Sequence, residues 1–190
     1  MSSDRSSTRP PRRRLPEWVI GFLLAIVVTA AALWVLGQLG AGDDPSFEAP
    51  GTSETERSSR SFVMFDGTVT SFDAFAGKPM VLNFWASWCP PCAAEMPDFQ
   101  AVHDRLGDRV TFLGMNSQDV DRAAAEHLVA ATGVTYLLAS DPDGSLFQEF
   151  GGVGMPTTVF IDEEGRVVAS HSGILFAEDL ERQIRDLFEL

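Results

Sequence analysis

Cys89 and Cys92 are the only cysteines in this 190-residue chain, and two prolines separate them, in Trp88-Cys89-Pro90-Pro91-Cys92. A disulfide closing so short a loop removes little chain entropy, so the pair is a poor structural staple. Two cysteines also cannot make the multi-bridge framework of a small secreted scaffold. Structural zinc takes about four ligands, and His103, His127 and His171 supply no second pair with ligand spacing. No metal and no cofactor are therefore expected. What remains is dithiol–disulfide exchange, which suits two cysteines placed where a strand turns into a helix. Cys89 would take the N-cap position, where unpaired amides and the positive end of the helix favour a thiolate. It is the expected nucleophile. Cys92, one turn inside and more buried, is the expected resolving thiol of a redox-active Cys89–Cys92 disulfide. Pro90 and Pro91 have no N–H, so the donors reaching the Cys89 sulfur are mainly the amide and thiol of Cys92. A less stabilised thiolate makes a less oxidising couple, nearer about −270 mV than about −120 mV.

The elements that must position this pair follow in a suitable order. Met80 to Trp85 is a short apolar run, read as a buried strand, and Pro91 to Arg105 is a helix with proline near its start. Val110 to Met115 is a second buried strand, Asp121 to Thr132 a helix ended by Gly133, Tyr136 to Ala139 a short strand, and Ser145 to Phe150 a short helix. Thr157 to Ile161 and Arg166 to Ser170 flank the turn Asp162-Glu163-Glu164-Gly165 as a hairpin. Ala177 to Leu187 closes the chain as an amphipathic helix, with Leu180, Ile184, Leu187 and Phe188 on one face. The order β-α-β, then an α-β insert, then β-β-α, predicts an α/β domain with a mixed sheet flanked by helices. No internal repeat is evident.

Asn83-Phe-Trp-Ala-Ser-Trp-Cys-Pro-Pro-Cys-Ala-Ala-Glu-Met-Pro97, with the distant Gly154-Met-Pro-Thr157, resembles the thioredoxin superfamily. More narrowly, it is similar to the membrane-anchored TlpA-, ResA- and DsbE/CcmG-like group that handles thiols outside the bacterial cytoplasm. The resemblance covers roughly residues 61–190. It implies a thioredoxin-like fold, with a sheet of roughly four to five strands between helices and a central α-β insertion at about residues 119–150. It implies that Pro156 is cis and faces the dithiol, leaving the Met155 backbone free to pair with an extended substrate. It also implies that Pro97 kinks the active-site helix. Glu95 lies one turn beyond Cys92 on the same helix face. It is either a carboxylate favoured by the helix dipole or, as the resemblance implies, a proton acceptor for the Cys92 thiol. Asn83 stands where cytoplasmic thioredoxins place a buried aspartate, and an amide cannot take a proton, which favours the second role. Trp85 and Trp88 match aromatics beside the dithiol; Trp88 either shapes the substrate surface or packs. The three histidines are read as surface or capping residues.

Charge divides the chain. In residues 1–39 five arginines outweigh Asp4 and Glu17, whereas the remainder holds 9 basic and 25 acidic residues, with Lys78 its only lysine. Such a body lacks the positive field that a phosphate backbone requires, which excludes nucleic acid as a partner. Residues 1–17 are read as a basic, cytoplasmic N-terminus, and residues 18–39 as a single transmembrane signal-anchor oriented by Arg12, Arg13 and Arg14. Ala30, Ala31 and Ala32 would also suit a signal peptidase, but the apolar run continues through Leu33 to Leu36, longer than a usual signal sequence. Residues 40–60, rich in Gly, Pro, Ser and acids, are read as a flexible linker, and residues 61–190 as the extracytoplasmic catalytic domain.

The expected function is that of an enzyme, a thiol–disulfide oxidoreductase that reduces protein disulfides. The family's common substrate, the haem-attachment site of apocytochrome c, and a membrane-embedded thiol reductase as electron donor are implied by the resemblance alone. A disulfide oxidant or general redox-repair protein is the alternative, separated by reduction potential. A thiol peroxidase would need one peroxidatic cysteine with Thr and Arg around it, whereas Ser87 and Trp88 precede Cys89. A tethered binding module without turnover is disfavoured by the intact dithiol.

Overall fold

The computed structural model describes residues 59–190. The chain divides into two units, Met1–Ala49 and Pro50–Leu190, and the described residues belong to the second. The expected basic N-terminus, the transmembrane segment 18–39 and all but the end of the linker lie outside the described residues. Among the described residues, no helix is long and apolar enough to cross a membrane.

Strands β1 (Ser61–Met64) and β2 (Val69–Ser71) precede β3 (Met80–Trp85), α1 (Pro90–Leu106), β4 (Thr111–Ser117), α2 (Arg122–Thr132), β5 (Leu137–Asp141), α3 (Ser145–Glu149), β6 (Thr157–Ile161), β7 (Val167–Ser172) and α4 (Ala177–Phe188). They form one seven-stranded sheet in the order β2-β1-β5-β4-β3-β6-β7. β3, β4 and β5 run parallel, while β1, β2, β6 and β7 pair antiparallel to their neighbours. The mixed α/β architecture is the expected thioredoxin-like one. The strand count is larger than the resemblance implied, because β1 and β2 add a hairpin to the far edge, where no element was expected. The hairpin is short, and only Phe62 and Met64 of β1 are buried. Its partner β5 lies far along the chain, through Val63 opposite Ser140 and Met64 opposite Ala139. A pairing of that range leaves no local periodicity to read.

All six residues of β3 are buried. Alternation along a strand sends successive side chains to opposite faces. Val81 and Trp85 accordingly enter the core built with α1 and α4, while Met80, Leu82 and Phe84 enter the other, with Phe62, Leu146 and Phe147. Asn83 shares its parity with Val81 and Trp85, which puts a polar side chain under α1. Along α1 the buried residues are Cys92, Glu95, Met96, Phe99, Val102 and Leu106. This is a stripe at helical spacing, and it has a carboxylate in it. Helix α4 buries Leu180 and Ile184, and its Glu181 joins α1 through a 2.7 Å ion pair with Arg105. Pro97 lies inside α1 on its exposed side.

Candidate active site

Cys89 ends the loop leaving β3 and occupies the N-cap of α1 in an extended conformation, with Pro90 and Pro91 opening the helix. The placement follows from the residues: the ring fixes φ near its helical value, and a missing N–H costs nothing in a first turn. Cys89 and Cys92 are joined in a disulfide, with an S–S distance of 1.99 Å and a Cα–Cα distance of 5.4 Å. The Cys92 amide donates to Cys89 Sγ at 3.3 Å, but it also donates to the Cys89 carbonyl at 3.1 Å, so the sulfur shares its amide donor. Both cysteines are buried, at 3% exposure for Cys89 and 0% for Cys92.

Behind the disulfide lies Glu95, fully buried. Asn83 Nδ2 donates to Glu95 Oε1 at 2.8 Å, and the Leu175 amide donates to Oε2 at 2.9 Å. Burial raises the Glu95 pKa from 4.5 to about 7; the Leu175 and Asn83 donors oppose the shift without cancelling it. Glu95 is thus no solvated charge at a helix end. Asn83 Nδ2 also reaches Thr158 Oγ1 at 3.3 Å, and Asn83 Oδ1 is buried without a hydrogen-bond partner. Tyr136 stands close enough that the Glu95 charge adds to burial in pushing its phenol well above the usual range. Trp85 and the Tyr136 ring meet over Gly114. A Cβ there would lie 3.0 Å from Trp85 Nε1, 3.0 Å from Tyr136 Cε2 and 2.9 Å from Leu138, so only glycine lets the two rings close. Trp85, with no exposed surface, is a packing residue.

The residues next to the disulfide in the chain are more exposed. Trp88 is 58% exposed, and its indole donates to the Gln118 carbonyl at 3.1 Å. Pro90 is exposed and Pro91 half-buried. The Met155–Pro156 bond is cis. Pro156 is buried, and its carbonyl accepts from the Gly173 amide at 2.8 Å. β6 begins only at Thr157, opposite Phe84 at the end of β3, so the Met155 main chain lies outside the ladder, at the end of the sheet that carries Cys89. The Met155 side chain is half-buried against both cores.

Of the residues singled out from sequence, Trp88, Cys89, Pro90, Pro91, Cys92, Glu95, Met155 and Pro156 therefore gather at one end of the sheet. His103 is half-buried in the last turn of α1, with its ring 5.3 Å from Phe112 and 6.2 Å from Tyr136. His127 is exposed, and His171 lies on β7. Sequence reasoning missed the Leu175 amide on Glu95, Tyr136 beside it, and Asp119, which accepts from the Ser87 amide at 2.6 Å. Only Asp119 left a local signal, as a carboxylate in the loop just beyond a buried strand. Among the described residues, no three His, Cys, Asp or Glu side chains converge as a metal site.

A model of the Redoxin family matches residues 48–184. The thiol:disulfide interchange protein DsbE of Escherichia coli strain K12 is 31% identical over 175 residues, which cover 90% of this chain and 92% of DsbE. MTB DsbF, solved in its mixed oxidised and reduced forms, is 31% identical, with a TM-score of 0.63 over 69% of this chain and 96% of that one. A DsbF homologue from Corynebacterium diphtheriae is 33% identical, with a TM-score of 0.62 over 67% of this chain and 83% of its own. With a dithiol at the helix start and relatives of this kind along most of its length, the chain belongs to the Redoxin family and is a thiol–disulfide oxidoreductase of the DsbE type.

Proposed function

We propose that this enzyme works as a reductant of protein disulfides outside the cytoplasm, tethered by residues 18–39. In the reduced form, the Cys89 thiolate attacks one sulfur of a substrate disulfide, and the other substrate sulfur leaves as a thiolate. Cys92, as thiolate, then attacks Cys89 Sγ, which re-forms the Cys89–Cys92 disulfide and releases the second substrate sulfur. Two electrons pass to the substrate, and Glu95 accepts the proton that Cys92 gives up. Exchange with an external dithiol, a membrane-embedded thiol reductase, restores the reduced enzyme. Trp88 and the Met155–Pro156 segment form the surface met by an extended substrate chain. Cysteine pairs at apocytochrome c haem-attachment sites are the proposed substrates.

The observation that carries the reductive direction is the poor stabilisation of the Cys89 sulfur. Pro90 and Pro91 have no amide hydrogens, and the Cys92 amide is shared with the Cys89 carbonyl. A helix start that offers its sulfur so little favours the disulfide over the thiolate, which is the behaviour of a reductant.

Equilibration with glutathione buffers is expected to place the potential nearer about −270 mV than about −120 mV, and a value above about −160 mV overturns the reading. Substrates are identified with Cys92→Ala, which leaves the mixed disulfide on Cys89 unresolved. Mass spectrometry of the trapped species is expected to recover apocytochromes c, and their absence removes them as substrates.

A further inference from the structure

The proposed exchange leaves a second buried carboxylate, Asp119, without a role. Asp119 lies in the loop between β4 and α2 and is 7% exposed. Its Oδ2 accepts from the Ser87 amide at 2.6 Å and from Asn116 Nδ2 at 3.0 Å, and its Oδ1 accepts from the Asp121 amide at 3.2 Å. Ser87 directly precedes the exposed Trp88, two residues beyond the end of β3, so this short charge-assisted bond ties the loop carrying Trp88 and Cys89 to the end of β4.

The neighbouring Gln118 has a φ of +52°, in the left-handed region that a side chain adopts only when its surroundings impose it. In that conformation its carbonyl receives the Trp88 indole at 3.1 Å, while its amide donates to the Asp141 carbonyl at 3.0 Å. Gly144 makes room for it: a Cβ there would lie 2.5 Å from Gln118 Cγ. Two adjacent residues of one loop thus hold two adjacent residues of the redox loop, Asp119 by the Ser87 main chain and Gln118 by the Trp88 side chain. Burial works to raise the Asp119 pKa, but the hydrogen bonds from Asn116, Ser87 and Asp121 prevail and hold the carboxyl below its usual range. It therefore remains a pure acceptor at neutral pH.

We propose that Asp119 is a positioning residue that acts through Ser87 and Trp88: it presents the exposed indole beside Cys89 as a preformed platform for the substrate chain. This rests on the reading of Trp88 as substrate-facing. A platform held in place before binding saves the entropy of ordering it on association, so its loss appears in substrate affinity and not in the chemical step.

The test is reduction of insulin by the purified full chain, with dithiothreitol as reductant. Asp119→Ala is expected to raise KM about tenfold with kcat changed less than about twofold. It is also expected to shift the Trp88 emission, isolated as the difference between the chain and Trp88→Phe. Asp119→Asn still offers one oxygen to the Ser87 amide and is expected to restore most of the KM. Asp119→Glu keeps the charge but displaces the oxygens, and serves where the alanine variant fails to fold; it is expected to move both readouts the same way by less. A lowered melting temperature with KM and indole emission unchanged overturns the proposal. A tenfold KM effect of Asp119→Ala that persists in the Trp88→Phe background also overturns it, since Asp119 would then act by another route. An unchanged KM in Trp88→Phe alone removes the substrate-facing reading itself.

Discussion

Two buried carboxylates, Glu95 on α1 and Asp119 in the loop after β4, have their pKa values displaced in opposite directions. Glu95 has two hydrogen-bond donors and a pKa raised to about 7, whereas Asp119 has three and a pKa held below the usual range. Both are buried, and burial pushes both upward. The outcome turns on how fully the charged form is solvated by protein. Asp119 receives the main-chain amides of Ser87, from the redox loop, and of Asp121, from its own loop, so the carboxylate is well solvated there. Glu95 sits on the inner stripe of α1 among Cys92, Met96 and Phe99, where a side-chain amide and one distant main-chain amide are all that reach it. A carboxylate left under-solvated can take a proton near neutrality, and one fully solvated can only hold a shape.

The strongest test of this contrast is Glu95→Gln. It is expected to slow disulfide exchange roughly 100-fold above neutrality and to remove the inflection near pH 7 from the pH–rate profile. An unchanged profile reduces Glu95 to a structural charge. Asn83→Asp places a second carboxyl at the position from which Asn83 Nδ2 now donates at 2.8 Å. Two like charges at that range share one proton, so the pH–rate inflection is expected to move upward by about one unit or more; a profile that stays put shows that Asn83 does not set the acidity of Glu95.

The smallest effect concerns stability, and the two carboxylates differ in its sign. Glu95 binds its proton more tightly folded than unfolded. Its contribution is full below about pH 4.5 and is lost as the pH rises through about 7, a fall of about 3 kcal/mol. Asp119 binds its proton less tightly folded, so its contribution is present above the ordinary carboxyl value of 3.8 and is lost as the pH falls below it. Urea unfolding between pH 3 and pH 8 is expected to show Glu95→Gln flattening the neutral limb and Asp119→Asn the acid limb. Both variants flattening the same limb refutes the contrast.

The amino-acid sequence by itself determined the chemistry and most of the frame. Cys89 and Cys92 at this spacing, with two prolines opening a helix, specify a dithiol at a helix start, because capping and proline geometry act over a few residues. The apolar runs of β3 and β4, the amphipathic stripe of α4 and the Gly165 turn between β6 and β7 are equally local, and they were legible as a mixed α/β domain. The placement of Glu95 one turn beyond Cys92 was legible too, but its state was not. Its acidity depends on Leu175, 80 residues away, and on Asn83 beneath α1, whose parity on β3 matters only once the strand is docked. Asp119 reaches Ser87 across 32 residues, and the β1–β2 hairpin finds its place only through β5. Burial and long-range hydrogen bonds are sums over neighbours that no short window of sequence contains. The tertiary structure therefore decided which carboxylate burial pushes toward neutrality and which one its hydrogen-bond donors hold ionised.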